Sequence, residues 1–498
     1  MATNQLIEDN NNSTTRYYYV DQYGAMVKNT WKAVAMDDSS DGLDAEYWWY
    51  YFGSDGKAYT TDKDKLTSST IKTIDGKKYA FDSEGHMLYG WIKEDDLSQQ
   101  DDVEEAWKDA TYFFNGWNDG HMQTGWLQMT VEDDNETKTY WFNFKNDGKK
   151  RTKRAKINNA YYYFDVDDGH MLTDWAVSTA KQASDDYKTA SPSGYTYLNG
   201  DGSERRNKWV WAVADEDASE EALQKDYEND DYRWWYFKSN GKLASDELKK
   251  INGKTYAFDE YGRMQFAFVS ATNKHNVTNL GKGSDWSREQ WIANACDDYS
   301  TPAITNSNDA TGIYYFSSSE EKDGSMKKGY QTIELDDGSY QFYFNTTSGK
   351  AENGWVKKIK KYAHKGLVLQ PTSDDDSNYG AVVTSNNSIV FNENTIGHIL
   401  VNNSGSKVTK KTKLKDNNGS YYVVNGSGTV VAFFEDEDEY NKFLEYTDNK
   451  GNTKHTTIDN DMVKGNNVTF SELQTAIQKK VAKTAGNTYT GEAGKYNQ

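Results

Sequence analysis

A short pattern repeats along the chain: a strand-like run of aromatic residues, a turn ending in glycine, and a short polar segment. Two clear copies are residues 49–52 (WYYF) before Gly56 and residues 234–237 (WWYF) before Gly241. Aromatic residues favour β-strands, and glycine accepts the positive φ that a tight turn needs. Each copy therefore predicts a β-hairpin. Further copies precede Gly85, Gly169 and Gly262.

The turn glycines also reveal a longer period. Gly56 to Gly148 spans 92 residues, and Gly148 to Gly241 spans 93. This spacing indicates a supermodule of three hairpins, used three times, with a decayed fourth copy ending near Trp355. A fixed period is typical of a solenoid, and single hairpins must stack because they are not stable alone. We therefore predict an all-β solenoid of stacked β-hairpins over residues 16–360.

The segments around the repeats differ in character. Residues 1–15 form a polar N-terminal segment, and acidic inserts at 36–46, 94–109, 131–137 and 214–231 predict solvated loops between hairpins. Residues 363–498 are expected to be a separate C-terminal region of short strands followed by helices.

Two helices are predicted in that region from hydrophobic spacing. The first covers residues 435–446, and the second covers residues 471–483, with Ser471 and Gln474 as a capping box. The side chains expected to face the core are Tyr440, Phe443 and Leu444 in the first helix, and Leu473, Ile477 and Val481 in the second.

Composition narrows the function classes. The chain has 57 Lys+Arg against 77 Asp+Glu, and this net charge of −20 disfavours binding to nucleic acid or to anionic lipid. Aromatic residues make up 14% within a hydrophobic total of only 36%, which favours many small aromatic seams over one large core. The single cysteine, Cys296, allows no disulfide within the chain. No apolar run is long enough to insert into a membrane.

The repeats resemble a known family. Residues 250–264 (KINGKTYAFDEYGRM), together with Gly125-Trp126 and Gly354-Trp355, are very similar to the cell-wall-binding or choline-binding repeat and to the related glucan-binding and clostridial-toxin repeats. The resemblance covers residues 16–360. It implies a β-hairpin solenoid, an extracellular location and non-catalytic binding of choline, glucans or other surface glycans.

The resemblance also implies where ligand would bind. In the family, aromatic cages form between stacked hairpins, from the Trp of Gly-Trp and aromatic residues on the next strand. The pairs that keep both parts here are Trp31 with Trp49, Trp126 with Trp141, Trp175 with Tyr195, and Trp209 with Trp234. Aromatic rings stack on sugars and attract quaternary ammonium groups. Lys78, Thr255 and Phe268 interrupt the pattern elsewhere, so fewer sites than hairpins are expected. The alternative is that these aromatic residues only form the core.

Other chemistries find little support. His86, His121 and His170 each stand in a Gly-His-Met sequence, but the equivalent residue in other repeats is a lysine or arginine. An exposed polar position is therefore expected there. The acidic loops lack the ordered ligand spacing of a calcium loop, so no metal and no cofactor are expected. No nucleophile elbow, zinc-protease motif or phosphate loop is present, and we predict that the chain is not an enzyme.

These inferences leave three functional settings. The first is a phage tail or receptor-binding component, favoured by the absence of a signal peptide after Met1, because virion proteins leave the cell by lysis. The second is the surface-attachment module of a secreted bacterial protein, and the third is the binding tail of a glycan hydrolase. The expected partner is a bacterial cell-wall polymer or surface glycan, such as choline-bearing teichoic acid, with other virion or surface proteins contacting residues 363–498. The expected location is extracellular, on a cell surface or a virion.

Overall fold

The structure is a computed structural model that describes residues 1–10, 15–36, 46–61, 65–97, 105–183, 191–213, 232–317, 323–372, 375–383, 388–390 and 395–498. The chain divides into two compact units, Met1–Ala244 and Ser245–Gln498. Antiparallel strands predominate in both, so the all-β prediction is confirmed. Of the helices in these ranges, none has the length and apolar character needed to cross a membrane.

The described part of the first unit is a succession of hairpins with one short helix. Strands pair in chain order, except that β13 lies between β14 and β15. The elements are β1 (Gln5–Asp9), β2 (Arg16–Val20), β3 (Thr30–Ala35), β4 (Tyr47–Phe52), β5 (Lys72–Ile74), β6 (Lys77–Tyr79), β7 (Gly90–Ile92), α1 (Ala106–Asp109), β8 (Tyr112–Phe114), β9 (Gly125–Asp133), β10 (Glu136–Phe144), β11 (Lys153–Ile157), β12 (Ala160–Phe164), β13 (Asp174–Val177), β14 (Lys181–Gln182), β15 (Tyr195–Leu198), β16 (Lys208–Ala212) and β17 (Arg233–Phe237).

The second unit continues with small sheets and adds helices. Its sheets have the orders β18-β19-β20, β22-β21-β23, β24-β25-β28-β27-β26, β30-β29-β31, β32-β33-β34 and β36-β35-β37. The elements are β18 (Glu247–Ile251), β19 (Lys254–Phe258), β20 (Met264–Gln265), β21 (Phe268–Thr272), β22 (His275–Asn279), α2 (Arg288–Ala293), β23 (Thr311–Tyr315), β24 (Gly329–Leu335), β25 (Gly338–Phe344), β26 (Gly354–Val356), β27 (Lys361–His364), β28 (Leu367–Val368), β29 (Tyr379–Val383), β30 (Ser388–Val390), β31 (Ile399–Asn402), β32 (Lys411–Lys415), β33 (Tyr421–Val424), β34 (Val430–Phe434), α3 (Glu437–Phe443), β35 (Glu445–Thr447), β36 (Thr453–His455), α4 (Phe470–Val481) and β37 (Thr488–Tyr489).

The turn glycines connect consecutive hairpins, which corrects the predicted pairing. Strand β4 pairs along its whole length with the preceding strand β3, so that Thr30 lies opposite Phe52. After the Gly56 turn, only a single bridge forms, between Phe52 and Ala58. Strands β3 and β4, on either side of the insert, therefore belong to one hairpin. Inserts of different length are tolerated there because the entropy of closing a loop rises slowly with its length. The inserts at 36–46 and 214–231 fall almost entirely outside the described residues.

A recurring backbone hydrogen bond joins many of the hairpins to the hairpin before them. The N–H two residues after the turn glycine donates to a carbonyl on the second strand of the preceding hairpin. Met87 donates to Trp49 at 2.8 Å in the first unit, and Met326 donates to Thr255 at 2.8 Å in the second. Because the same bond recurs from hairpin to hairpin, each unit contains the stacking that the solenoid prediction requires.

The residue two positions after each turn glycine, here called the ladder position, also packs between hairpins. A Cβ atom added to Gly56, whose φ is +80°, would lie 2.5 Å from the Met26 sulfur. A Cβ at Gly120 would overlap Met87 in the same way. These turns therefore need glycine both for backbone conformation and for the space that the methionine occupies. The ladder position is methionine at 26, 87, 122, 171, 264 and 326, and it is charged at Lys150, Glu204 and Lys407.

Two elements of the fold were not predicted, one near the N-terminus and one in the second unit. The polar segment 1–15 contains strand β1, which pairs with β2. Helix α2 was not predicted; Ser287 and Gln290 cap its start, and its Trp291 packs 4.3 Å from Phe268 between ring centroids. This helix fills the space beside Phe268, which stands where the repeat would carry tryptophan.

The two predicted C-terminal helices are present with shifted ends. Helix α3 begins after Asp436 and buries Tyr440 and Phe443, while α4 buries Leu473, Ile477 and Val481 as expected. The capping box of α4 is formed by Thr469 and Glu472, so the predicted Ser471–Gln474 box is wrong by two residues. The predicted solenoid ends at residue 360. That position lies within the five-stranded sheet of β24 to β28, which includes residues on both sides of it.

Candidate ligand-binding site

The tryptophans of the Gly-Trp elements are positioned by left-handed backbone at the start of a strand. Gly90 and Gly125 have φ values of +69° and +77°, and Asp174 takes φ +62° before Trp175. Most L-residues avoid this conformation, so glycine is favoured at the first two positions. The turn directs each tryptophan between its own hairpin and the next. Trp31 and Trp209 each lie two residues after an asparagine of positive φ, Asn29 or Asn207. A place where one of these tryptophans meets other aromatic rings is here called a corner.

The first corner is formed by Trp31, Trp49, Tyr51 and Tyr79. The Trp31 ring meets Tyr51 edge-on at a centroid distance of 5.1 Å and Tyr79 at 4.9 Å. Trp31 and Trp49 are both half-buried against Tyr79 and the ladder residue Met87. The indole nitrogen of Trp49 is buried and has no acceptor within the described part of the chain.

The second corner is formed by Trp126, Trp141 and Tyr162. Trp126 meets Trp141 at 6.3 Å with an interplanar angle of 84°, and it meets Tyr162 of the next hairpin at 4.9 Å. Trp141 remains 40% exposed. The ladder residue Met171 donates its N–H to the Trp141 carbonyl at 2.7 Å, so the second corner, like the first, has a methionine at the ladder position.

The third corner is formed by Trp209, Trp211, Trp234 and Tyr236. Trp209 meets Trp234 at 6.2 Å and 88°, and it meets Tyr236 at 5.1 Å. Trp211 is 43% exposed and lies 5.1 Å from Trp234. Sequence analysis missed Trp211, although Trp209 and Trp211 are two residues apart on one strand and must share a face.

The fourth predicted pair lies in the core. Trp175 and Tyr195 meet at 6.4 Å and 87°, as the pairs in the second and third corners do. However, Trp175 is 2% exposed and Tyr195 is 1% exposed. The Trp175 indole donates to the Val213 carbonyl at 2.9 Å, and its ring packs against Trp235 at 5.2 Å. No face of this pair is open to a ligand in the structure.

A fifth pocket of the same kind already contains an ammonium group from the chain. The ladder residue Lys150 is 8% exposed, and its Nζ lies 5.5 Å from the Trp91 ring centroid and 5.8 Å from that of Phe142. The Nζ donates to the Trp107 carbonyl at 2.5 Å. Burial lowers the pKa of Lys150 to about 8. The aromatic walls thus surround a cation at a step where methionine is replaced by lysine.

Two other steps also contain cations from the chain. The ladder residue Lys407 places its Nζ 4.9 Å from the Trp355 ring centroid. The third charged ladder residue is Glu204. The guanidinium of Arg154 forms two hydrogen bonds with it, of 3.1 and 2.7 Å, and stacks 3.8 Å from the Tyr161 ring centroid. Three inter-hairpin positions are therefore occupied by the chain's own side chains.

The described acidic insert contributes no unpaired carboxylate at Asp133. Burial opposes ionisation of this group, but hydrogen bonds from Lys108, Tyr140 and Lys138 outweigh it and lower the pKa of Asp133 to about 2. Its oxygens lie 2.7 Å from Lys108 Nζ and 3.3 Å from Lys138 Nζ. At Asp133 the chain's own lysines already pair with the carboxylate.

The histidines are not exposed, which corrects a prediction. His86 is 9% exposed, stacks 4.1 Å from Trp48 and contacts Asp82 through Nδ1 at 2.9 Å. His170 contacts Asp168 in the same way at 2.6 Å. Each of these two rings packs on a neighbouring aromatic residue and contacts an aspartate of its own turn. The lysines at equivalent positions suggested exposure, but a lysine can extend into solvent where a histidine ring packs. Among the described residues, Asp165, Asp168 and His170 could together approach one metal ion, but Lys181 already binds Asp165 at 2.8 Å.

Several solved structures are similar to this chain. CbpJ from Streptococcus pneumoniae shares 16% identity at a TM-score of 0.37, over 76% of this chain and 100% of that one. Choline-binding protein F from the same organism shares 19% identity at 0.35, over 76% and 98%. The choline-binding domain of its CbpL shares 20% identity at 0.29, over 53% and 98%.

These proteins belong to the family that the repeats resemble. Protein-family models and curated proteins yield no match. Because these identities and TM-scores are low, the proposed function is based on the side chains of this chain alone.

Proposed function

We propose that the chain binds a bacterial cell-wall polymer that carries quaternary ammonium groups of the choline type, through the corners at Trp31, Trp126 and Trp209. The supporting observation is the Lys150 ammonium, which lies between aromatic rings at a pocket built like these corners. A ring face attracts a cation, and a quaternary ammonium has no hydrogen-bond donors to satisfy. The proposal does not require any bond-breaking step.

Each corner supplies modest affinity, so attachment depends on several sites. A cation over an aromatic ring contributes about 0.5–2 kcal/mol. Once one corner holds a repeating polymer, binding at the next corner becomes effectively intramolecular. A ligand with one choline group should therefore bind weakly, whereas a polymer that carries many should bind firmly.

The test removes one strand tryptophan from each of two corners. The double variant Trp141→Ala/Trp234→Ala should elute from a choline-substituted resin at a much lower free choline concentration than either single variant. Circular dichroism should show an unchanged fold. Trp117→Ala, which removes a half-buried tryptophan that stacks on Tyr47 outside the corners, is the matched control and should elute like the parent protein.

The outcomes separate the competing explanations. If the double variant unfolds, these tryptophans belong to the core and the ligand assignment fails. If it stays folded and elutes normally, the corners are not the binding sites. If dextran elutes the parent protein and choline does not, the ligand is a neutral glucan and the ammonium assignment is wrong.

The biological setting forms a further part of the proposal. We place this binding activity on a virion, in a phage tail or receptor-binding component, with a bacterial surface protein or the binding tail of a glycan hydrolase as alternatives. In either of the first two settings the chain acts outside the cell. Mass spectrometry of purified phage particles tests the choice: peptides of this chain should be present in the particles. Their recovery instead from choline-washed bacterial surfaces would favour the first alternative.

A further inference from the structure

A cavity in the second unit is lined by four lysines, Lys250, Lys274, Lys328 and Lys350. Its volume is about 590 Å³, which is within the range of small-molecule sites. No carboxylate of the described residues lines it. A concentration of positive charge of this kind is unexpected in a chain with a net charge of −20. We call it the lysine cavity.

Of the four ammonium groups, that of Lys350 interacts with the Asp309 carboxylate. Lys350 Nζ donates to the Asp309 carbonyl at 2.6 Å, and Lys328 Nζ donates to the Thr347 carbonyl at 2.7 Å. Backbone carbonyls satisfy hydrogen bonds but carry no net charge. Lys250 and Lys274 are exposed, and within the described ranges neither forms an ion pair. The cavity therefore retains a positive potential that favours an anion.

A buried phenol adds a neutral hydrogen-bond donor. Tyr314 lines the lysine cavity, is 4% exposed and has no hydrogen-bond partner for its hydroxyl among the residues that the structure describes. Burial raises the pKa of Tyr314 to about 12, so the phenol keeps its proton at neutral pH. The hydroxyl can therefore donate a hydrogen bond to a ligand oxygen in the cavity.

The cavity lies where the aromatic pattern of the repeats is lost. Thr255, one of its lining residues, stands at the strand position that holds Trp49 and Trp141 in the corners. Phe268 replaces the tryptophan of the Gly-Trp element and is fully buried. Loss of the rings removes the attraction for a quaternary ammonium, and the lysines reverse the charge of the ligand that can bind.

We infer that the lysine cavity binds the phosphate group of a phosphate ester. A phosphate offers several acceptor oxygens, which can accept hydrogen bonds from lysine ammonium groups and from the Tyr314 phenol, and lysine is a common phosphate ligand. A cavity of this size also has room for the sugar or polyol attached to the phosphate. This site is separate from the aromatic corners and does not depend on their assignment.

The experiment measures binding by isothermal titration calorimetry in low salt. The probes are glycerol 3-phosphate, poly(glycerol phosphate), inorganic phosphate and polygalacturonate, with glycerol as the neutral control. The test variants of the full chain are Lys250→Gln/Lys274→Gln and Tyr314→Phe. The matched control is Lys479→Gln/Lys483→Gln, which removes two charges from the exposed end of α4 in the same unit.

The expected result is binding of both phosphate esters, weakened about tenfold by each test variant and unaffected by the control. Added salt should weaken it further, because exposed charges are screened. Saturating choline should leave it unchanged, which distinguishes this site from the corners. The inference is overturned if the phosphate esters do not bind, if the control loses as much affinity as the test variants, or if inorganic phosphate or polygalacturonate binds more tightly than the esters.

Discussion

The Lys150 ammonium offers a direct test of how burial and aromatic contact balance in an inter-hairpin pocket. The perturbation is Lys150→Met, which introduces the residue found at the ladder position of six other hairpins. Burial lowers the pKa of this lysine from its ordinary 10.5 to about 8. Each pH unit between the folded and unfolded values corresponds to about 1.4 kcal/mol, so burial of the charged form costs the folded state about 3 kcal/mol.

The sign of the pH dependence follows from proton binding. Below pH 8, both the folded and the unfolded chain keep the proton, and the full cost is present. Between pH 8 and pH 10.5, the unfolded chain binds more protons at this site, so raising the pH stabilises the folded state. Relative to Lys150→Met, the parent protein should gain about 2.5 kcal/mol of unfolding free energy between pH 7 and pH 10.

The assay is urea denaturation followed by tryptophan fluorescence at several pH values in this range. Met122→Leu, which changes a ladder residue that cannot titrate, is the control and should keep the pH dependence of the parent. Groups common to all three proteins cancel in the differences. Parallel stability curves for the parent and Lys150→Met would refute the reasoning, because the lysine would then not be buried as a charge.

Three further predictions concern the packing of the first unit. Trp175→Ala should lower the free energy of unfolding by about 3–5 kcal/mol in denaturant titration, because a fully buried ring leaves a cavity; a loss below about 1 kcal/mol would show that this tryptophan is not core. Gly120→Ala should cost about 1–3 kcal/mol in thermal unfolding, because its φ is +59° and the new methyl group overlaps Met87; an unchanged Tm would contradict this. Arg154→Met should cost about 1–3 kcal/mol because the buried Glu204 carboxylate loses two hydrogen bonds and keeps the ion pair with Arg206 at 3.5 Å, and Glu204→Met added to it should restore most of the loss; no recovery in the double variant would contradict the pairing.

Much of the fold could be predicted from the sequence because glycine and aromatic residues recur at fixed positions. The turn at Gly56 and the strand that ends at Phe52 are where the pattern indicates. The pairing partner of that strand could not be predicted, because the insert after Ala35 separates the two strands of the hairpin in the sequence. Insert length places little energetic limit on which strands pair, so local sequence alone does not identify the partner.

The site was only partly predictable, because exposure depends on residues distant in sequence. Trp175 and Trp209 start equivalent strands, yet Trp175 is covered by Trp235 and keeps only 2% exposure. Nothing near Trp175 in the sequence signals that cover. The lysine cavity is a stronger case, since Lys250 and Lys350 are 100 residues apart and only the fold brings them to one space.

The ladder position explains why the number of open pockets need not equal the number of hairpins. At Trp31 and Trp126, the ladder residue of the following hairpin is Met87 or Met171, and the aromatic faces remain partly open. At Trp91, the corresponding residue is Lys150, and its own ammonium lies against the rings. A neutral, flexible side chain leaves room for an external cation, whereas a lysine supplies the cation itself. Lys150→Met should therefore do more than change stability: calorimetric titration with choline should gain one binding site, and an unchanged stoichiometry would show that the ladder residue does not control access.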